Sequence, residues 1–141
     1  MNSAQAVCNY SLLHFLPYPE TGVVVNVGVL VICPQPCFFH FLAEEKMPDS
    51  LKLLFPRQNE KAFETSMAAL KDEVLRVKVR IRDPKSCQIE FNELVRPRQN
   101  TFRFGEVRKA LTENPRNFSE ELFRFYVRME ALAPQTVVSH G

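Results

Sequence analysis

With 141 residues, 24% charged and 45% hydrophobic, the chain has the size and composition of one globular domain with a full core, which excludes intrinsic disorder. The net charge is only +2, but from Arg76 to Lys109 ten basic residues (Arg76, Lys78, Arg80, Arg82, Lys85, Arg96, Arg98, Arg103, Arg108, Lys109) stand against four acidic ones (Asp83, Glu90, Glu93, Glu106). Such a cluster is either a solvated face or the electrostatic footprint of an anionic partner. The longest apolar run, Val23 to Cys33, spans 11 residues and contains Asn26, whereas a membrane-spanning helix needs about 20.

The N-terminus, MNSAQAVCNY, carries no basic n-region and no clean cleavage site, so the expected location is the cytoplasm. Cys8 to Leu16 reads as a first strand, Pro17 to Gly22 as a turn, and Val23 to Cys33 as a second strand. After the reversal Pro34-Gln35-Pro36, Cys37 to Leu42 supplies a third, completing an antiparallel meander. Pro48-Asp49-Ser50 opens a short helix, Leu51 to Phe55.

From Asn59 the period changes. Phe63, Met67, Leu70, Val74, Val77 and Ile81 recur at spacings of four and three, predicting a helix capped by Asn59 and running to about Val77. Residues 75–82 also alternate apolar and basic like a half-exposed strand, so the end of this helix stays open. Ser86 is the expected cap of a helix reaching Val95, Thr101 to Phe104 a short edge strand, and Glu106 to Pro115 irregular. The last helix is expected over Asn117 to Leu132, with Asn117 and Glu120 forming a capping box. Its apolar residues cover more than half the circumference, so it either lies deep against the sheet or offers Phe123, Tyr126 and Val127 to another chain. The expected architecture is α+β: a three- to four-stranded antiparallel sheet packed against helices, one domain over 1–132 with a frayed tail, 133–141.

Four Cys and three His invite a metal reading. Symmetric closure of the two hairpins would put Cys8 opposite Val31 and Cys37 opposite Cys33, gathering three thiols with no fourth ligand near, so no metal is expected. Only four glycines occur, without G-x-G-x-x-G or a P-loop, and no nucleophile elbow or H-E-x-x-H appears, so no cofactor is expected and the reading leans away from an enzyme. Asn26 and Gly28, two residues apart on one strand, would share a face and form a polar notch. Either Gly28 admits a close neighbour and Asn26 bonds a nearby backbone, or the notch is a site.

Several segments taken in order, Tyr10-Ser11-Leu12-Leu13 leading to Pro17, Val25-Asn26-Val27-Gly28-Val29, Arg96-Pro97-Arg98, Leu111-Thr112-Glu113-Asn114-Pro115, and Leu122-Phe123 with Tyr126-Val127, resemble the bacterial domain-of-unknown-function family three-zero-three-seven. Two positions depart from that pattern: Val23 follows Gly22 where the family commonly has Glu, and His14 stands where it commonly has Arg. The resemblance implies no established activity. It implies association with HipA-like serine/threonine kinases, beside which family members are often encoded, and hence a partner or regulator in a toxin-antitoxin-like or stress system. The functional expectation is a non-enzymatic cytoplasmic protein-interaction module that binds a protein partner or itself. The alternative is a nucleic-acid-binding protein using the basic 76–109 segment. The candidate interaction residues are Asn26, Gly28, Arg96, Arg98, Arg103, Arg108, Phe123, Tyr126 and Val127.

Overall fold

In the computed structural model, which describes residues 5–35, 37–97 and 101–130, the first two apolar runs pair antiparallel as β1 (Ala6–Phe15) and β2 (Val25–Cys33). β3 (Phe38–Ala43) adds to the outer side of β2. The opposite side of β1 takes two short strands in succession, β5 (Arg108–Thr112) along its first half and β4 (Phe102–Phe104) along its second. The result is a five-stranded antiparallel sheet in an α+β fold, one strand wider than the upper expectation. β5 lies inside the segment expected to be irregular: within Arg108–Thr112 only Ala110 and Leu111 are apolar, so no alternation announces a strand. It is a strand because the free edge of β1 supplies backbone partners that the local sequence cannot advertise.

Helices cover both faces. On one side lie α1 (Asp49–Leu54), α2 (Glu60–Lys78) and α3 (Pro84–Leu94); on the other, α4 (Pro115–Leu122) continues into a π-helical turn, Phe123–Val127. α2 starts at the expected cap, with the Asn59 side chain accepting from the Ala62 N–H at 3.0 Å. Its end resolves the ambiguity at 75–82 in favour of helix to Lys78: Val74 and Val77 are buried, while Arg76 and Lys78 sit at the negative end of the helix dipole. Phe63 wedges edge-on between Phe15 and Phe102, with ring centres 5.1 Å from each, fastening α2 to the sheet.

Two helix starts differ from expectation. Asp83, not Ser86, caps α3; Ser86 is the third helical residue, returning a hydrogen bond in a reciprocal capping box. Asn114, not Asn117, caps α4, accepting from the Asn117 N–H at 3.0 Å. In both cases Pro follows the cap, and proline at the first helical position has no N–H to leave unsatisfied. The expected tail, 133–141, lies outside the described residues.

The hairpin register also differs. Residue pairs run Asn9 with Ile32 and Tyr10 with Val31, which brings Cys8 opposite Cys33 rather than Val31. Cys8 and Cys33 form a cross-strand disulfide, Cα–Cα 4.4 Å, inside the core beneath α4. Cys33 is also the end of the β2–β3 ladder, where its partner is Phe38, so the expected gathering of three thiols does not form. Among the described residues no group of three or more His, Cys, Asp or Glu is placed to hold a metal ion, and no helix is long and apolar enough to cross a membrane.

Candidate functional site

Simple alternation would put Asn26 and Gly28 on one face of β2. The sheet puts them on opposite faces, because Leu13 pairs with Gly28 and His14 with Asn26, leaving Val27 as an extra bulged residue. Val27 joins the core beside α1 and α2, and Gly28, opposite Leu13, is on that side too. A Cβ at Gly28 would lie 2.8 Å from the Leu42 carbonyl oxygen and 2.9 Å from the Ala43 Cβ, so the missing side chain admits β3 rather than opening a notch. Asn26 faces α4, and its amide Nδ2 donates to the Tyr126 carbonyl at 3.3 Å.

A second irregularity flanks β1 on its other side. Tyr10 pairs with Arg108 and Leu13 with Phe104, so Ser11 and Leu12 face three residues, Gly105, Glu106 and Val107. The Gly105 N–H donates to the Leu12 carbonyl at 2.8 Å, and the Ser11 hydroxyl donates to the Gly105 carbonyl at 2.8 Å, pinning the departure. A Cβ at Gly105 would stand 2.7 Å from Cε1 of His14, so the bare backbone there lets the imidazole lie close against it. Between the two irregularities, on the α4 side, opens a cavity of about 240 Å³ lined by Tyr10, Leu12, His14, Gly105, Glu106 and Arg108.

The cavity is electrostatically mixed. Arg108 is held by Glu106 at 3.1 Å, and this hydrogen bond is the main reason its pKa is raised. His14 is pushed below the ordinary imidazole range, first by burial and then by the Arg108 charge, so its ring is neutral at pH 7. Tyr10 is pushed above the ordinary phenol range by burial first, then by Tyr126. Arg108 and Tyr126 lie beside the buried Tyr10 hydroxyl and act on its ionisation both by charge and by hydrogen bonding, although neither closes a hydrogen bond of ordinary geometry with it. It is the one buried side-chain polar atom among the described residues in that state.

The last helix roofs this end of the sheet. In its π-helical turn the Arg128 N–H donates to the Phe123 carbonyl at 3.1 Å, a five-residue step, and π turns of this kind often mark functional positions. Three polar links tie the helix to the strands: Asn26 to Tyr126, Arg128 to Glu44 at 2.9 Å, and His40 Nδ1 to the Ser119 hydroxyl at 2.7 Å. Phe123 and Tyr126 pack against the core beneath α4, and Val127 is half-buried. Arg128 also lies over the Phe123 ring, 4.9 Å from its centre.

Of the expected interaction residues, the structure therefore gathers Asn26, Arg108 and Tyr126 around one end of the sheet and sends Gly28 to the other face. Arg103 pairs with His14 in the sheet and borders a separate small cleft with Arg96, which is ion-paired to Glu93 at 2.6 Å. Arg98 lies outside the described residues. Tyr10 and Gly105 line the site without having been singled out from the sequence, and His14 was marked there only as a departure from the family pattern. The signal on β1 was a Tyr and a His four residues apart on one strand face with Leu12 between them, Tyr10-x-Leu12-x-His14.

The model of the family described as "Protein of unknown function (DUF3037)" matches residues 10–127. The chain belongs to this family. The matched span opens at Tyr10 and closes at Val127, so it contains the cavity, both sheet irregularities and the π-helical turn. No curated protein and no solved structure gives a significant match.

Proposed function

We propose that this family member is a non-enzymatic interaction module whose partner-facing element is the end of the last helix. One observation carries the reading. Polar links, not apolar packing alone, hold the π-helical turn over the sheet, and the apolar surface continues outward past the covered core. Phe125 stays half-exposed with its ring edge-on to Tyr126 at 4.8 Å, and Met129 is 84% exposed. Aromatic side chains beside a rigid support are the usual anchors of protein interfaces. The association of the family with HipA-like kinases makes such a kinase, in a toxin-antitoxin-like or stress system, the partner to try first.

The basic segment supports the nucleic-acid alternative less well. Arg80 is paired with Glu90 at 3.1 Å, Arg96 with Glu93 and Arg108 with Glu106, so its charge is partly neutralised in place. The test is co-purification with a HipA-like kinase, comparing wild type with the double variant Phe125→Glu, Met129→Glu. A loss of binding of about tenfold or more at unchanged melting temperature is expected, since both side chains are partly or largely exposed. Undiminished binding, or a complex that carries nucleic acid and dissolves in 200 mM salt, would remove the proposal.

A further inference from the structure

β3, at one rim of the sheet, carries no Asp, Glu, Lys, Arg or Pro and keeps an unbroken register with β2. The Glu44 N–H donates to the Val27 carbonyl at 2.9 Å, so by the alternation of an antiparallel ladder Leu42, His40 and Phe38 turn their backbone groups toward β2. Phe39, Phe41 and Ala43 turn theirs outward, where no strand among the described residues meets them. The opposite rim is protected in the usual ways: β4 and β5 are short, are separated by an irregularity, and carry Arg103, Arg108 and Lys109. A bare apolar edge at one rim only is a surface for strand addition. We infer that the edge of β3 and the outward face of α2 beside it dock against the same surface of a second copy of this chain, joining two five-stranded sheets edge to edge.

The charges on α2 identify the occupant. A groove of about 260 Å³ runs between β3 and α2, with Phe39, Phe41, Asp72, Leu75 and Lys78 in its walls. Leu75 is 59% exposed. Asp72 stands three residues before it and Lys78 three after, so all three share one helix face. Lys71 beside them is held by Glu45 at 3.6 Å, whereas neither Asp72 nor Lys78 has an ion-pair partner among the described residues. A twofold axis that pairs β3 antiparallel with its own copy also lays α2 antiparallel to its copy, on the same side of the joined sheet. With Leu75 against Leu75 of the second copy, Asp72 meets Lys78 of the second copy and Lys78 meets Asp72 of the second copy. One surface thus supplies both halves of two ion pairs, while a partner of uniform charge would match one side chain and repel the other. The contact consumes both free edges, so assembly stops at the dimer. Phe125 and Met129 belong to the end of the last helix, across the sheet from α2, so this assignment and the partner surface can fail separately.

The test is sedimentation equilibrium of the full chain over a concentration series reaching about 100 μM, where a dimer and nothing larger is expected. Leu75→Glu and Asp72→Lys should each weaken dimerisation about tenfold or more at unchanged melting temperature, since both side chains are exposed. Combining Asp72→Lys with Lys78→Asp should restore the dimer, a rescue that damage to the fold would not produce. In the dimer the amide hydrogens of Phe39 and Phe41 should exchange more slowly than in the Leu75→Glu variant, which separates strand pairing from helix contact alone. A monomer at every concentration, a charge swap that fails to restore the dimer, or unprotected Phe39 and Phe41 amides within it would overturn the assignment.

Discussion

Gly28 shows how little a single residue type says before its neighbours are known. It reads on paper as half of a polar notch with Asn26, and in the sheet it is a packing position pressed against β3. Because the atoms that a new Cβ would strike are the Leu42 carbonyl and Ala43 in the adjacent strand, Gly28→Ala cannot be relieved by a rotamer change. It should destabilise the fold by about 1–3 kcal/mol, measured as a shift of the urea midpoint, through overpacking. The two described histidines make a second prediction. Burial is the first cause lowering the pKa of each, reinforced by Arg108 at His14 and by Arg116 and Lys78 at His40. In the unfolded chain both protonate near pH 6.5, and in the folded chain only at lower pH. Their contribution is therefore complete above about pH 6.5 and is lost as pH falls through the folded values. Thermal melts between pH 7.5 and 5 should show falling stability, and His14→Gln combined with His40→Gln should flatten that slope; an unchanged slope would show that carboxylates alone set it.

Between elements, register decides which residues meet. Cys8 and Cys33 close a separation of 25 residues across the central strand pair, and opening such a loop costs about 3 kcal/mol in the chain-entropy picture. Dithiothreitol should lower the melting temperature of wild type and leave that of a Cys8→Ser, Cys33→Ser double variant where it is. The remaining two cysteines differ in kind. Cys37 is exposed, whereas Cys87 is buried in α3 and pushed up to about 12, mainly by burial and further by the nearby Cys37. Native alkylation with iodoacetamide at pH 8 should accordingly modify Cys37 and spare Cys87 until the chain unfolds. Rapid labelling of both would mean that α3 opens readily from the sheet.

For the molecule as a whole, the two-faced sheet leaves the partner reading with a simple electrostatic consequence. A complex anchored by Phe125 and Met129 should lose less than about tenfold in affinity between 50 and 200 mM salt, whereas one resting on six or more phosphate contacts would lose about a thousandfold. Periodicity foretold much of this architecture. The three N-terminal strands, α2 from its Asn59 cap, and the short strand around Phe102 to Phe104 were all legible, because each depends on hydrophobic spacing or cap chemistry within its own segment. β5 was not legible, since what makes Arg108–Thr112 a strand is the unsatisfied edge of β1, almost a hundred residues away along the chain. Nor was the cavity. One extra residue at Val27 and another between Phe104 and Arg108 re-aim Asn26, His14 and Arg108 relative to their partners, and a one-residue change of register moves a side chain to the opposite face. Local order along the chain thus determined the other elements and the family, but not β5. Long-range strand pairing, whose free energy is shared between distant segments, decided which polar groups face one another beneath the last helix.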